Sequence, residues 1–315
     1  MKNNRIIFSI ILCTYNRAKL LNDAIATILR QDFPHENFEL LIVDNSSTDN
    51  TYEVSLNYCN KYPNIRYLKE LKIGLSNARN RGWREARGIY IGFLDDDCKV
   101  PQEWLSVAFE IMEKFRPEAF GGPYYPFYNS PKPKWFKDEY ASHVEGAVPR
   151  PLKDKEYLSG GNMFIQRGLL DSFGGFKNNL GMTGDQIGYG EETFFFNLLR
   201  INNPQAILYY EPRLFVYHLV RAEKMMLSLV PQRFFSVGRC YCRTLSIIKK
   251  KKPILSFLYV FLTLFKILYT YTLGIIIRDR NDYPNYENFI YENSKRLFIT
   301  LGLHIETLLM IFNHK

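Results

Sequence analysis

The first 115 residues alternate between short apolar runs and amphipathic stretches, and this alternation restricts the folds open to the chain. Runs rich in β-branched residues predict strands over residues 6–13, 38–43, 65–68 and 89–94. The stretches between them carry apolar residues at helical spacing, and Pro101 is placed to begin a further helix. Strands that alternate with helices form a mostly parallel sheet. We therefore predict an α/β fold, a mostly parallel sheet with helices on both faces.

Polar clusters follow three of the predicted strands. They are Thr14-Tyr15-Asn16-Arg17, Asp44-Asn45 and Asp95-Asp96-Asp97. Ligands of such sheets bind beyond the carboxyl ends of the strands, so we expect the three clusters to share one edge. The aspartates alone could cap the helix that begins near Pro101, but three in succession favour a ligand site.

The spacing of the aspartates suggests what they bind. Alternate side chains of an extended chain share a face, so Asp95 and Asp97 are predicted to point one way and Asp96 the other. Two carboxylates on one face suit a hard divalent cation, Mg²⁺ or Mn²⁺, which in turn binds diphosphate oxygens.

The second half of the chain is less regular. The stretch GGPYYPFYNSPKPKWF, residues 121–136, predicts a loop folded over neighbouring structure and is a candidate lid. Gly160-Gly161-Asn162 precede a further predicted strand, and Glu191-Glu192 begin a predicted helix.

Five segments, in their order and separation, resemble family 2 glycosyltransferases of the GT-A fold. They are SIILCTYNR, LLIVDNSSTDNT, GLSNARNRG, GFLDDD and GGNMFIQR…GEET, between about residues 6 and 220. The resemblance implies transfer of a sugar from a nucleoside diphosphate to an acceptor hydroxyl, with inversion at the anomeric carbon. We interpret residues 1–220 as the GT-A domain, with a nucleotide-binding half (about 1–115) and an acceptor half (about 116–220), followed by a basic, apolar helical segment over 221–315.

The same resemblance implies roles for individual residues. It places donor contacts at Thr14, Tyr15, Arg17, Asp44, Asn77, Arg79, Asp95, Gly161 and Asn162. It implies that Asp44 accepts a pyrimidine N–H, which favours a UDP- or dTDP-sugar, and that Asp97 is the main metal ligand with Asp95 near ribose and metal. His218 is a further candidate for the metal, although lone histidines are more often structural. A guanidinium such as that of Arg79 suits a diphosphate.

Inversion requires a base that takes the proton of the acceptor hydroxyl. The resemblance places this base at Glu191-Glu192, where the family usually has Glu-Asp. Glu192 aligns with the usual base, but its extra methylene changes the reach, so both glutamates stay candidates. Carboxylates in the first turn of a helix also interact favourably with the helix dipole, which could explain one of the two.

The net charge of +9 belongs to the C-terminal segment. Residues 1–220 hold 26 basic and 26 acidic residues, whereas residues 221–315 hold 15 and 6. This distribution disfavours nucleic acid as a partner.

Lys249–Lys252 precede the apolar stretch 253–277, which could span a bilayer, lie on an anionic leaflet or pack as a buried hairpin. We favour contact with the membrane surface, and hence a glycan or glycolipid acceptor.

Other features bear on location and on rival functions. The chain opens directly into a predicted strand rather than a signal peptide, and its five cysteines show no paired metal-ligand spacing, so we expect reduced thiols and a cytoplasmic protein at the inner face of the membrane. The main alternative is a non-catalytic sugar-nucleotide-binding or scaffold protein of the same fold. A glycoside hydrolase also uses two carboxylates, but it would leave Thr14 and Asp44 without a role.

Overall fold

A computed structural model describes residues 5–154, 156–184, 186–246 and 253–312 of the chain. The strands are β1 (Phe8–Thr14), β2 (Phe38–Asp44), β3 (Ile65–Lys69), β4 (Tyr90–Asp95), β5 (Cys98–Lys99), β6 (Ala119–Gly121), β7 (Tyr124–Tyr128), β8 (Arg150–Pro151), β9 (Asn162–Gln166), β10 (Leu208–Tyr210) and β11 (Val216–Val220). The α-helices are α1 (Ala18–Ile28), α2 (Thr51–Lys61), α3 (Leu75–Glu85), α4 (Trp104–Phe115), α5 (Arg167–Phe173), α6 (Glu191–Asn202), α7 (Val230–Ser246), α8 (Pro253–Tyr271), α9 (Leu273–Ile277) and α10 (Tyr286–Phe312).

The larger sheet has eight strands in the order β3-β2-β1-β4-β9-β6-β10-β8. Strands β3, β2, β1 and β4 pair in parallel, as do β6 and β10, whereas β9 runs antiparallel to both of its neighbours. The predicted mostly parallel α/β sheet is therefore confirmed. Its first four strands are those that the alternation of the first 115 residues predicts.

The two faces of the sheet explain why its central strands are apolar without interruption. Ile10 and Leu12 pack with α1 and α4 on one face, while Ile11, between them in sequence, packs with α3 and α6 on the other. Residues Leu40 to Val43 of β2 divide between the same two clusters. A strand covered by helices on both faces buries every side chain, so apolar residues fill consecutive positions. The helices on both faces are thus also confirmed.

A second, three-stranded sheet has the order β5-β11-β7. Within it, β5 and β11 are antiparallel and pair Cys98 with His218. Strand β7 lies in the stretch 121–136, for which we predicted a loop. That prediction is wrong for residues 124–128, because edge pairing in the small sheet orders this part of the stretch.

The chain forms two compact units. The first comprises the described residues of Met1–Phe127, Ala141–Gly184 and Glu191–Leu219, and it contains the core of the large sheet.

The second unit comprises the described residues of Tyr128–Tyr140, Asp185–Gly190 and Val220–Lys315. Within it, the ring of Tyr140 stacks on that of Tyr291 with centroids 4.0 Å apart, and Trp135 is buried. Residues 128–140 are therefore anchored on α10.

Helix α10 also packs along α7 and α8. The carboxylate of Glu306 accepts hydrogen bonds from the Nε atoms of Arg239 and Arg243 on α7, each at 2.6 Å. The predicted helical C-terminal segment is present. Among the described residues, no helix combines the length and the hydropathy that a membrane span requires. The lysine run Lys249–Lys252 lies outside the described residues.

Candidate functional site

The carboxyl ends of β2, β1 and β4 form a continuous row of polar side chains. The register pairs Thr14 with Asp44 across β1 and β2, and Cys13 with Asp95 across β1 and β4. Parallel neighbours end at the same edge, so three sequence-predicted residues come together although they are far apart in sequence. This edge is the candidate site.

Arg79 on α3 connects this edge to the first turn of α6. Its Nη1 donates to Glu191 Oε1 at 2.7 Å, and its Nη2 lies 3.3 Å from Asp95 Oδ1 and donates to the carbonyl oxygen of Gly160 at 2.9 Å. Burial opposes the charge of Arg79, but the carboxylates of Glu191 and Asp95 outweigh it and raise the pKa of Arg79. The guanidinium is therefore held inside the protein by these partners, and the predicted contact of Arg79 with the donor stays a prediction.

Glu192 differs from its neighbour. Burial and, to a smaller extent, the adjacent Glu191 carboxylate raise the pKa of Glu192 to about 8, against the opposing charge of Arg79. Two adjacent buried carboxylates cannot both ionise without cost, and the arginine stabilises the charge on Glu191. The pair therefore consists of one carboxylate that forms a salt bridge with Arg79 and one whose pKa is raised.

The aspartate triplet adopts a different geometry from the predicted one. Strand β4 ends at Asp95, and Asp96 and Asp97 lie in the turn that follows. Arg17 Nη1 donates to Asp96 Oδ1 at 2.8 Å and lies 3.6 Å from Asp97 Oδ2. The alternation of strand side chains does not extend beyond Asp95, because the chain turns there. Arg17 pairs with the two aspartates of the turn, and its predicted contact with the donor stays a prediction.

Burial distinguishes the three aspartates. The side chain of Asp95 is 34% exposed, whereas those of Asp96 and Asp97 are 3% and 4% exposed. Burial raises the pKa of Asp96 to about 6, although the charge of Arg17 opposes the shift. Asp95 is therefore the member most open to a ligand, and Asp96 is the one that Arg17 holds in the interior.

The pairing of β5 with β11 brings together Asp97, Cys98 and His218, whose side chains are of types that bind metal ions. We call these three residues the metal-type group. Ligating atoms of Asp97, Cys98 and His218 lie within 4.8 Å of one another, and His218 Nε2 is 3.3 Å from Asp97 Oδ1. A carboxylate oxygen with an imidazole nitrogen fits a divalent cation, and the nitrogen and sulphur donors favour Mn²⁺ over Mg²⁺. The structure thus brings two predicted ligands together, while Asp95 lies outside this group and contacts Arg79.

The two glycines before β9 make room for charged side chains. A Cβ at Gly161 would lie 2.5 Å from Asp95 Oδ2, and a Cβ at Gly160 would lie 2.8 Å from Arg79 Nη2. Any larger residue would displace the carboxylate or the guanidinium. The resemblance implies a donor contact at Gly161, and the structure gives it the carboxylate of Asp95 as a close neighbour.

Asn162, which we predicted among the donor contacts, has a structural role. Its side chain is fully buried, accepts from Trp104 Nε1 at 3.0 Å, and donates to the carbonyl oxygens of Pro123 and Leu214. These bonds occupy the amide and join β9 to two neighbouring segments. Asn77 is also largely buried, and its amide donates to the carbonyl oxygen of Ile73. Both amides therefore bind protein groups, and the donor contacts predicted for Asn77 and Asn162 stay predictions.

Three residues for which the resemblance implies donor contacts, Thr14, Tyr15 and Asp44, lie at or directly after the ends of β1 and β2. Thr14 is buried at the end of β1, and Tyr15 is half-buried directly after it. Asp44 accepts from the backbone N–H of Ser47 and the hydroxyl of Tyr67, each at 2.8 Å. Each carboxylate oxygen can accept two bonds, so Asp44 keeps capacity for a base N–H. Sequence reasoning missed Tyr67, which lies inside β3 and carries no local signal.

Four aromatic rings in the first unit contact one another in succession, and the first of them is the imidazole of His218. The ring of Tyr124 lies 5.3 Å from that of His218 and 5.7 Å from that of His143, and His143 lies 4.5 Å from Tyr157. Burial and the charge of Glu192 raise the pKa of Tyr157 to about 12. We call these four residues the ring row. Sequence reasoning missed His143 and Tyr157, and it noted Tyr124 only as part of an aromatic stretch.

Comparison with known proteins identifies what the chain is similar to. The sequence model described as Glycosyl transferase family 2 matches residues 9–174. Glycosyltransferase AglE of Haloferax volcanii is 26% identical over 178 residues, which are 56% of this chain and 58% of that protein. The poly(ribitol-phosphate) beta-N-acetylglucosaminyltransferase TarS of Staphylococcus aureus is 32% identical over 108 residues, 34% of this chain and 19% of that protein. The chain thus spans less than two thirds of each of these relatives.

Two solved structures share the fold over nearly the whole chain. TarS residues 1–349 in complex with UDP-GlcNAc has a TM-score of 0.58 and 17% identity, covering 98% of this chain and 92% of that one. The Pyrobaculum calidifontis mannosyltransferase PcManGT in complex with GDP-Man and Mn²⁺ has a TM-score of 0.57 and 16% identity, covering 98% and 75%. At these identities the likeness establishes the fold alone.

Proposed function

The chain belongs to glycosyl transferase family 2 and has the GT-A fold, and on this premise we propose that it transfers a sugar from a nucleoside diphosphate to an acceptor hydroxyl with inversion. One observation carries the proposal. Arg79 contacts both Glu191 and Asp95, so the glutamate pair and the aspartate cluster border the same strand edge. We propose residues 1–220 as the domain that carries this activity.

We propose Glu192 as the base and Glu191 as the residue that positions Arg79. A base must accept a proton, and the pKa of Glu192 is raised to about 8, whereas Glu191 is engaged by Arg79 at 2.7 Å. In the reaction, the proton of the acceptor hydroxyl passes to Glu192. The acceptor oxygen forms a bond to the anomeric carbon, the bond from that carbon to the diphosphate oxygen breaks, and the electron pair leaves with the diphosphate.

A divalent cation, Mn²⁺ or Mg²⁺, would be held by Asp97 and His218, with Cys98 beside them. When bound, such a cation offsets the negative charge that develops on the departing diphosphate. Asp95 remains the proposed contact to the ribose, because its carboxylate is the exposed member of the triplet. Thr14, Tyr15 and Asp44 are the proposed contacts to the nucleotide.

For the donor we propose a UDP- or dTDP-sugar, because Asp44 keeps an acceptor for a pyrimidine N–H. TarS is described with UDP-GlcNAc and PcManGT with GDP-Man, so a guanine nucleotide is the competing possibility.

For the acceptor we propose a surface glycan or glycolipid, as TarS is named for a poly(ribitol-phosphate) acceptor. The ring row offers flat apolar faces on which sugar rings of the acceptor can pack.

A donor panel tests the proposal. UDP-, dTDP- and GDP-sugars are assayed for hydrolysis and for thermal protection of the protein, with Mn²⁺ and then with a chelator. We expect protection and turnover with a uridine or thymidine donor, both lost on chelation. Glu192→Gln should lower kcat by roughly 10²- to 10⁴-fold while donor protection persists.

Two results would contradict the proposal. One is the absence of protection by every sugar nucleotide in the panel, which would remove the donor. The other is a full transfer rate in Glu192→Gln with saturating donor and metal, which would place the base elsewhere. Tyr52→Gln, at an exposed side chain of α2, is the matched control and should keep the parent rate.

A further inference from the structure

The second unit exposes a broad apolar face on α8 and α9. Phe261, Phe265 and Leu268 of α8 are 70%, 66% and 62% exposed, and Ile276 and Ile277 of α9 are 73% and 64% exposed. Proteins that function alone in water rarely expose contiguous apolar surface on this scale, and such patches mark protein or membrane contacts. We call this surface the α8–α9 face.

The opposite side of α8 is polar and buried. Ser256, Thr263 and Thr270 are 2%, 5% and 6% exposed, and their spacing of seven residues places them on one side of the helix. That side packs on α10, where Ser256 Oγ lies 3.1 Å from His304 Nδ1. A helix on the surface of a globular protein turns its apolar side inward. Helix α8 does the reverse.

This inverted arrangement fits an apolar environment. Small residues with hydroxyl groups line the contacts between helices in lipid, where apolar side chains gain nothing by turning away from their surroundings. The described part of α8 has both features, a serine and threonine seam toward α10 and phenylalanine and leucine on the other side.

Charge indicates which apolar surface would cover the face. Residues 249–280 contain seven basic residues and one acidic residue. Lys266 is exposed on α8, and a lysine can lay its stem along an apolar surface while its amine reaches charged headgroups. The four lysines before α8 lie outside the described residues and enter only as sequence. A cationic and apolar segment matches an anionic leaflet.

We propose that the α8–α9 face binds the surface of an anionic lipid leaflet. The other side of α8 already packs on α10, so one side of the helix is available. A second copy is the competing occupant, but a symmetric dimer would bring the same basic segment from both chains together. The inference rests on the proposed function and deepens it, because a sugar transferase bound to a leaflet would lie beside lipid-linked acceptors.

Vesicle sedimentation of the full chain tests this inference. Vesicles of phosphatidylcholine alone are compared with vesicles containing about one third phosphatidylglycerol. We expect binding to the anionic vesicles to be roughly tenfold tighter or more, and to weaken with added salt. The double variant Phe261→Ser/Phe265→Ser should lose roughly tenfold or more in binding. Ile276→Ser/Ile277→Ser should show the same loss. Leu71→Ser, at a side chain 75% exposed in the first unit, should bind like the parent.

Two outcomes would overturn the inference. The first is equal sedimentation of the parent chain and both double variants with anionic vesicles, or no sedimentation at all. The second is a dimer, seen by light scattering, that Phe261→Ser/Phe265→Ser dissociates, without vesicle binding by the parent. Hydrolysis of UDP-GlcNAc without vesicles is measured on the same samples. It should be unchanged in the double variants, so that a failure of lipid binding is distinguished from a failure of the proposed transfer activity.

Discussion

Arg79 is predicted to contact the donor and is held by protein carboxylates in the structure. The prediction follows from the family resemblance, and the attraction between a guanidinium and a diphosphate agrees with it. In the structure Arg79 is 3% exposed and its two Nη atoms contact Glu191, Asp95 and the carbonyl of Gly160. A buried cation needs anionic partners at close range, and here they are Glu191, next to the proposed base, and Asp95, the proposed ribose contact. Arg79 is therefore a positioning residue.

Removal of this cation should destabilise the protein strongly. We expect Arg79→Met to lower the free energy of unfolding by about 3–5 kcal/mol, because Glu191 stays buried without its partner. Adding Glu191→Gln should recover part of the loss. The matched control is Arg81→Met on the same helix, whose partner Glu85 is 37% exposed and whose loss should cost less than about 1 kcal/mol. Urea denaturation measures these changes, and equal costs for the two arginines would contradict the account.

The raised pKa of Glu192 predicts a pH profile. The base must be deprotonated, and the deprotonated fraction falls about tenfold for each pH unit below its pKa. We expect kcat/KM to rise about tenfold per pH unit and to level off near pH 8, since burial and Glu191 hold the pKa of Glu192 at about 8. Donor turnover across this range measures the profile. A profile that levels off near the ordinary glutamate pKa would show that another group is the base, and Glu192→Gln should remove the rise.

At the scale of elements, the metal-type group depends on one very short strand, β5. Strand β5 contains Cys98 and Lys99 alone, and it pairs with β11 to bring Asp97 next to His218. Two residues are too few to show a period of two, so the sequence predicted neither β5 nor the proximity it creates. Strand β4, with six largely buried residues, was predictable for the opposite reason.

The pairing of β5 with β11 also predicts how the cation is held. We expect His218→Ala to weaken Mn²⁺ binding by roughly tenfold or more, because the imidazole is one of the few ligating groups within reach of Asp97. Electron paramagnetic resonance of free Mn²⁺ measures the affinity. His143→Ala is the matched control, since it removes a ring of the ring row that lies outside the metal-type group. Unchanged Mn²⁺ affinity in His218→Ala would exclude this histidine as a ligand.

At the scale of the whole molecule, charge and apolar surface separate along the chain. Residues 1–220 are balanced in charge, and their apolar side chains fill the two faces of one sheet. The C-terminal segment carries the entire net charge of +9. It also carries the exposed α8–α9 face, and the inner side of α8 holds buried serine and threonine. Composition indicated that this segment differs from the rest. That α8 buries its polar side and exposes its apolar side could be recognised only once the structure showed which residues of α8 pack on α10.

The sequence by itself determined the first four strands with the helices between them, and the edge at which Thr14, Asp44 and Asp95 meet. Those features follow from local periodicity and from strand ends, which neighbouring residues specify, whereas the family was indicated by the resemblance of five ordered motifs. Only the tertiary structure decided that Arg79 pairs with Glu191, 112 residues away, and that Arg17 holds Asp96. Such pairings depend on burial and distance between remote segments, and a pattern within one segment contains neither.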